Sequence, residues 1–118
     1  MRYMLLIHGN ETLMNAATPV GDTGMSPDYA AYNEAMAKAG IMLGGERLRP
    51  TTTAASVRIV DGKTEVLDGP YAETKEQFGG YYMIDVPDME QAVAWAARCP
   101  AAQYGTVEVR PIWPTRGA

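Results

Sequence analysis

Cysteine, histidine and phenylalanine each occur once in this chain. A single cysteine, Cys99, has no partner for an internal disulfide and excludes a cysteine-rich zinc centre, and a single histidine, His8, removes most transition-metal sites. Leu, Ile, Val and Phe together supply only 20 of 118 residues, a scarcity that marks disorder when net charge is high. The net charge is only −4, and 8 Met, 7 Tyr and 2 Trp make up the deficit, so a folded chain is expected whose core leans on Met, Tyr and Ala. Basic residues number 10 against 14 acidic ones. Nucleic acid and anionic membrane both need a basic footprint and are not expected partners. No apolar run reaches membrane-spanning length, and the run after Met1 is too short for a signal peptide, so a cytoplasmic address is expected. Gly44-Gly45 and Gly79-Gly80 lack the spacing and the Lys-Ser/Thr of phosphate-binding loops, and nothing matches a Mg²⁺ or Ca²⁺ loop. Neither a cofactor nor a metal is expected.

What is present reads as one domain over 1–118, a length usual for a single domain. From Arg2 to His8, Tyr3, Leu5 and Ile7 lie on one face and Met4 and Leu6 on the other, the pattern of a central strand covered on both sides. Gly9 to Met25 shows no sustained period and reads as a long loop. Ser26-Pro27-Asp28 is a helix start, followed by Tyr29, Tyr32, Met36 and Ala39 at helical spacing and a stop at Gly40. Ile41 to Leu48 reads as a strand distorted at Gly44-Gly45. Ser56–Val60 and Thr64–Leu67 flank Asp61-Gly62-Lys63, a hairpin signal. Phe78 to Val86 alternates as a strand, Asp88 caps a helix ended by Pro100, and Thr106 to Trp113 is a last strand.

This order is a split β-α-β plan with an added hairpin, an α+β class. Two helices cover one face of such a sheet. The other apolar face of the first strand then needs an identical subunit, so a homodimer is expected.

The run Leu67-Asp68-Gly69-Pro70-Tyr71-Ala72-Glu73-Thr74-Lys75-Glu76, then Gly79-Gly80-Tyr81, Trp95-Ala96-Ala97-Arg98-Cys99-Pro100 and Val107-Glu108-Val109-Arg110-Pro111, resembles the YCII-related proteins of the DGPF-domain branch over nearly the whole chain. Tyr71 stands at the branch's Phe position. The resemblance implies a ferredoxin-like fold that dimerises as an α+β barrel. It also implies, for the wider group, an acid–base His and Asp with the His near the start of the first helix. The matching position here is Tyr29, so that His is missing. Relatives of the branch are often encoded beside extracytoplasmic-function sigma factors.

Asp68, Glu73, Lys75 and Glu76 bring three carboxylates and an amine together beside a Gly-Pro turn. Over a cleft, a carboxylate such as Asp68 or Glu73 can serve as general acid or base with Lys75 holding an anion. The alternative is that Asp68, Gly69 and Pro70 shape the turn and the other charges are solvated. His8 ends a central strand and is the side-chain type that titrates near neutrality. It is either a site residue or a hydrogen-bonded strand-end imidazole. Glu46, Arg47, Arg58, Glu108 and Arg110 line a polar pocket away from the helices or pair across strands. Tyr71, Tyr81 and Tyr82 floor a ligand site or belong to core and interface. Cys99 reads as a small buried hydrophobe.

Two functions follow. The first is a cofactor-independent lyase, isomerase or hydrolase acting on a small polar or anionic metabolite in a dimer cleft, with catalytic candidates His8, Asp68 and Glu73 and binding candidates Glu46, Arg47, Tyr71 and Lys75. The second is a non-catalytic small-molecule-binding or regulatory module linked to sigma-factor systems. A ligand is expected where the 68–76 segment meets the ends of the first two strands, near His8 and Glu46.

Overall fold

A computed structural model of the chain describes residues 1–17 and 26–115. It is a mixed α+β structure with two antiparallel sheets and, among the described residues, three α-helices. In chain order these are β1 (Arg2–Gly9), α1 (Glu11–Ala17), α2 (Pro27–Lys38), β2 (Met42–Arg47), β3 (Ala55–Val60), β4 (Lys63–Asp68), β5 (Gln77–Asp85), α3 (Met89–Arg98) and β6 (Thr106–Pro111). The larger sheet runs β2-β5-β1-β6, and β3-β4 form a sheet of their own.

The sequence signals work as local chemistry predicts. Ser26 accepts from the Tyr29 amide and Pro27 opens α2, while Asp88 accepts from the Gln91 amide at 2.9 Å to start α3. Asp61 and Gly62 both take positive φ, 51° and 76°, as a two-residue turn whose twist matches its strands requires. β2 is irregular between Met42 and Gly44, as its glycines suggest.

Tyr3, Leu5 and Ile7 of β1 and Tyr82 and Ile84 of β5 face Tyr32 and Met36 of α2 and Ala92 and Ala96 of α3, with Cys99 and Ala101 closing the core. Cys99 is thus the buried small hydrophobe it reads as. Met4 and Leu6 on the other face of β1 are only half-buried.

The expected loop from Gly9 to Met25 needs correction in its first part, where α1 forms. Asn10 caps it, accepting from the Leu13 amide with its side chain and from the Met14 amide with its backbone, and Glu11 suits the positive end of the helix dipole. Residues 18–25 of that loop lie outside the described residues. The last strand also ends earlier than expected, at Pro111. On α3, Ala92 and Ala96 are buried while Met89 and Val93 are exposed.

Candidate functional site

Strand register decides which side chains meet on the open face of the four-stranded sheet. Cross-strand partners share a face. His8 therefore lies between Phe78 of β5 and Thr106 of β6, and Leu6 lies between Tyr81 and Glu108, with Glu46 of β2 opposite Tyr81. One step further, Met4 lies between Met83 and Arg110. The open face is thus an apolar strip of Leu6, Met4, Tyr81 and Met83, with His8 and Phe78 at one end and charges at both edges.

The chemistry concentrates at His8. Its Nε2 stands 3.1 Å from Glu108 Oε1, with the two side chains 27% and 47% exposed. A carboxylate accepting from Nε2–H selects that tautomer and leaves Nδ1 as the basic nitrogen. Among the described residues no group hydrogen-bonds Nδ1. The Phe78 ring lies 5.5 Å from the imidazole, centroid to centroid. The pair is a partly exposed imidazole and carboxylate, the ring held at Nε2 and, among the described residues, without a hydrogen bond at Nδ1.

The loops at this end of the sheet are tied together. Thr106 Oγ1 donates to Glu76 Oε1 at 2.8 Å. Gln77 donates to the Thr74 carbonyl at 2.5 Å and accepts from the Glu11 amide at 3.0 Å. Glu11 in turn accepts from both the amide and the hydroxyl of Thr51, at 2.6 and 2.8 Å. A rim of hydrogen bonds therefore braces the strand ends around His8.

The structure distributes the other sequence candidates unevenly. Glu46 shares the open face with Glu108, whereas Arg47 pairs with Gly80 and belongs to the opposite face. Of the acidic segment, Glu76 is the member bound to the rim. Asp68 ends β4 opposite Ala55, and Glu73 and Lys75 are exposed. Among the described residues no hydrogen bond or ion pair engages the side chains of Asp68, Glu73 or Lys75. Gly69 is architectural: its φ is +97°, its amide donates to the Ala54 carbonyl at 2.6 Å, and its carbonyl accepts from Ser56 Oγ. Tyr71 is 82% exposed beside the hairpin. Glu108 stands out in the sequence only as a strand charge; that it partners His8 follows from register and from no spacing.

Tyr29, at the position where the resemblance implies a histidine, lies with the helices and not on the open face. Burial raises its phenol pKa strongly, reinforced by Cys99 and Tyr104, which also hydrogen-bond it. Burial likewise pushes the Cys99 thiol up. Neither group offers a proton exchanger at neutral pH. No cluster of three metal-ligating side chains occurs among the described residues, and no helix there is long and apolar enough to cross a membrane. Among the described residues, one concavity lies between α3 and β6, lined by Met89, Val93 and Val109, and another on the hairpin beside Arg58 and Tyr71. Neither includes His8.

Comparison with known proteins identifies the chain at the level of family. Residues 1–116 match the YCII-related domain. The chain is also 37% identical over 114 residues to an uncharacterized protein of Rhizobium meliloti (strain 1021), covering 95% of this chain and 92% of that protein. The chain belongs to the YCII-related domain family.

Proposed function

From membership of the YCII-related family, we propose that this chain is a homodimeric, cofactor-independent acid–base catalyst in which His8, oriented by Glu108, moves a proton on a small polar or anionic metabolite. The observation that carries the reading is the His8–Glu108 pair, 3.1 Å apart on a half-buried sheet face. A second copy laid on that face makes a cleft of it and lowers the local dielectric around the pair. The strand order β2-β5-β1-β6 supports a ferredoxin-like split β-α-β core pairing as an α+β barrel. The run Asp68-Gly69-Pro70-Tyr71 supports placement in the DGPF-domain branch. A lone, buried cysteine suits a reducing cytoplasm.

With no nucleophilic serine or cysteine bonded to His8 among the described residues, proton transfer, as in an isomerase or lyase, fits better than covalent hydrolysis. Register puts Arg110, together with Arg2, on the same face as Glu108, so an anionic substrate finds its counter-charge there. Arg47 faces the other way, and Lys75 is exposed on the segment before β5.

A thermal-shift screen of small carboxylic and keto acids tests the reading, because a native-state ligand at about 100 times its Kd adds about 2.7 kcal/mol of stability. Each hit is then followed by NMR for deuterium uptake from heavy water. The parent should exchange a substrate C–H, and His8→Gln should bind without exchanging it. Exchange that persists undiminished in His8→Gln rules the reading out. The binding-module alternative draws on Tyr29 at the helix start, and stabilisation by a ligand that the parent never exchanges would favour it.

A further inference from the structure

The β3–β4 hairpin exposes an apolar face that its own chain leaves in water. Register pairs Val57 with Val66 and Ile59 with Thr64, and Val57, Ile59 and Val66 on that face are 62%, 65% and 62% exposed. The reverse face is mixed, carrying Ser56 opposite Leu67, the cross-strand pair Arg58 and Glu65, and Val60 opposite Lys63. A two-stranded hairpin is marginal in water unless a further strand or a packed layer supports it, and β3–β4 belong to no larger sheet.

The dimensions of the whole molecule carry the same excess. The chain exposes 8249 Å², whereas a folded monomer of 12.8 kDa exposes about 6,300 Å². Its radius of gyration is 16.0 Å, against about 13.5 Å for a typical domain of this length. The surplus of about 2,000 Å² per copy would place a dimer among obligate homodimers, which bury roughly 2,000–5,000 Å² in total. The open sheet face cannot absorb it. Four strands about 4.8 Å apart and about six residues long give roughly 400 Å² in projection, and doubling that for side-chain relief leaves more than half the surplus uncovered.

We infer that the β3–β4 hairpin is a dimerisation arm, laying Val57, Ile59 and Val66 against a second copy of this chain. The inference rests on the homodimer proposed above and extends its interface beyond the sheet. The face suits a protein surface better than an anionic membrane, since its remaining members are Ala55, Thr64 and Asp68 and it carries no cation.

Sedimentation velocity across a dilution series separates the two claims. The triple variant Val57→Ser, Ile59→Ser, Val66→Ser changes only side chains exposed in the protomer, so its fold, checked by circular dichroism, should be retained. Its dimer should be at least about 100-fold weaker than the parent's, as each side chain withdraws on the order of 100 Å² from water on docking. Backbone amides of 55–68 in the parent should lose hydrogen-exchange protection on dilution through the dissociation range. A triple variant that dimerises as tightly as the parent overturns the arm, and so does a monomeric parent. Leu6→Arg probes the sheet face independently. Dissociation by Leu6→Arg alone keeps the sheet-face dimer and removes the arm, whereas dissociation by the triple variant alone keeps the arm and removes the sheet-face reading.

Discussion

Gly105→Ala should damage this protein more than any propensity scale suggests. Gly105 precedes β6, and its amide donates to the Ala101 carbonyl at 2.7 Å. A Cβ placed there would collide with the His8 carbonyl oxygen and would also meet the Gly9 Cα at 3.2 Å and the Ala101 carbonyl oxygen at 3.3 Å. All three are backbone atoms, so no flexible side chain can swing aside and β6 must move away from the end of β1. Overpacking of this kind costs about 1–3 kcal/mol, and the rigid neighbours place it toward the upper end, at about 2–3 kcal/mol. For a chain of this size about 4 °C of melting temperature is lost per kcal/mol, so a fall of about 8–12 °C is expected. Gly69→Ala is the matched comparison. No atom lies within 4 Å of its added Cβ, and the cost there is its φ of +97° alone, about 1 kcal/mol. Differential scanning calorimetry of both variants separates collision from conformation. A Gly105→Ala protein that melts within about 2 °C of the parent, or above Gly69→Ala, would refute the close approach of β6 to β1.

Two further outcomes follow from the packing. Burial pushes the Tyr82 phenol up to about 12 and raises Tyr32 and Tyr29 further. The folded state therefore holds these protons at a pH where the unfolded state, with phenols near 10, has released them, and stability should fall as pH rises from about 10 through about 12. A urea midpoint that is constant to about pH 9 and then declines, with phenolate absorbance appearing only on unfolding, is the expected result; a midpoint flat to pH 11 contradicts it. Glu11→Gln keeps the shape of the side chain but removes the charge that accepts two bonds from Thr51, for a loss of about 1 kcal/mol. Protease cleavage near Thr51–Thr53 should quicken, and unchanged susceptibility would show that the rim does not depend on that carboxylate.

Much of the fold is legible in short windows. The two-sided apolar pattern of Tyr3 to Ile7 marks an inner strand, and β1 is one. Ser26, Asp88 and Asp61-Gly62 act within four residues of themselves, so their effect survives any tertiary context. α1 escaped because seven residues are too few for a period to show and its cap, Asn10, stands in a stretch whose later Gly and Pro residues read as loop. Gly80 and Gly105 carry no local signal at all. Each is glycine because another strand's backbone comes close, Glu46 in one case and His8 in the other, and that proximity exists only once the sheet is assembled.

The candidate site depends on something less visible still, the register of β6 on β1. Alternation fixes which residues share a face, so Thr106, Glu108 and Arg110 fall on one side of β6 and Val107 and Val109 on the other. It does not fix which of them reaches His8, because a slip of two residues preserves both faces. The observed register sets Leu6 opposite Glu108 and places that carboxylate on the His8 ring. With a slip that paired Leu6 with Arg110, a guanidinium, which can only donate, would stand where the carboxylate now accepts from the imidazole. A bulge in β5 near Gly79 similarly sets Phe78 against His8. The contacts that hold the register lie at the two ends of the pairing. The Ile112 amide donates to the Arg2 carbonyl at one end, and at the other Gly105 admits the His8 carbonyl against its own backbone. The His8–Glu108 pairing is therefore specified by a glycine with no functional group and by a strand partner 100 residues away.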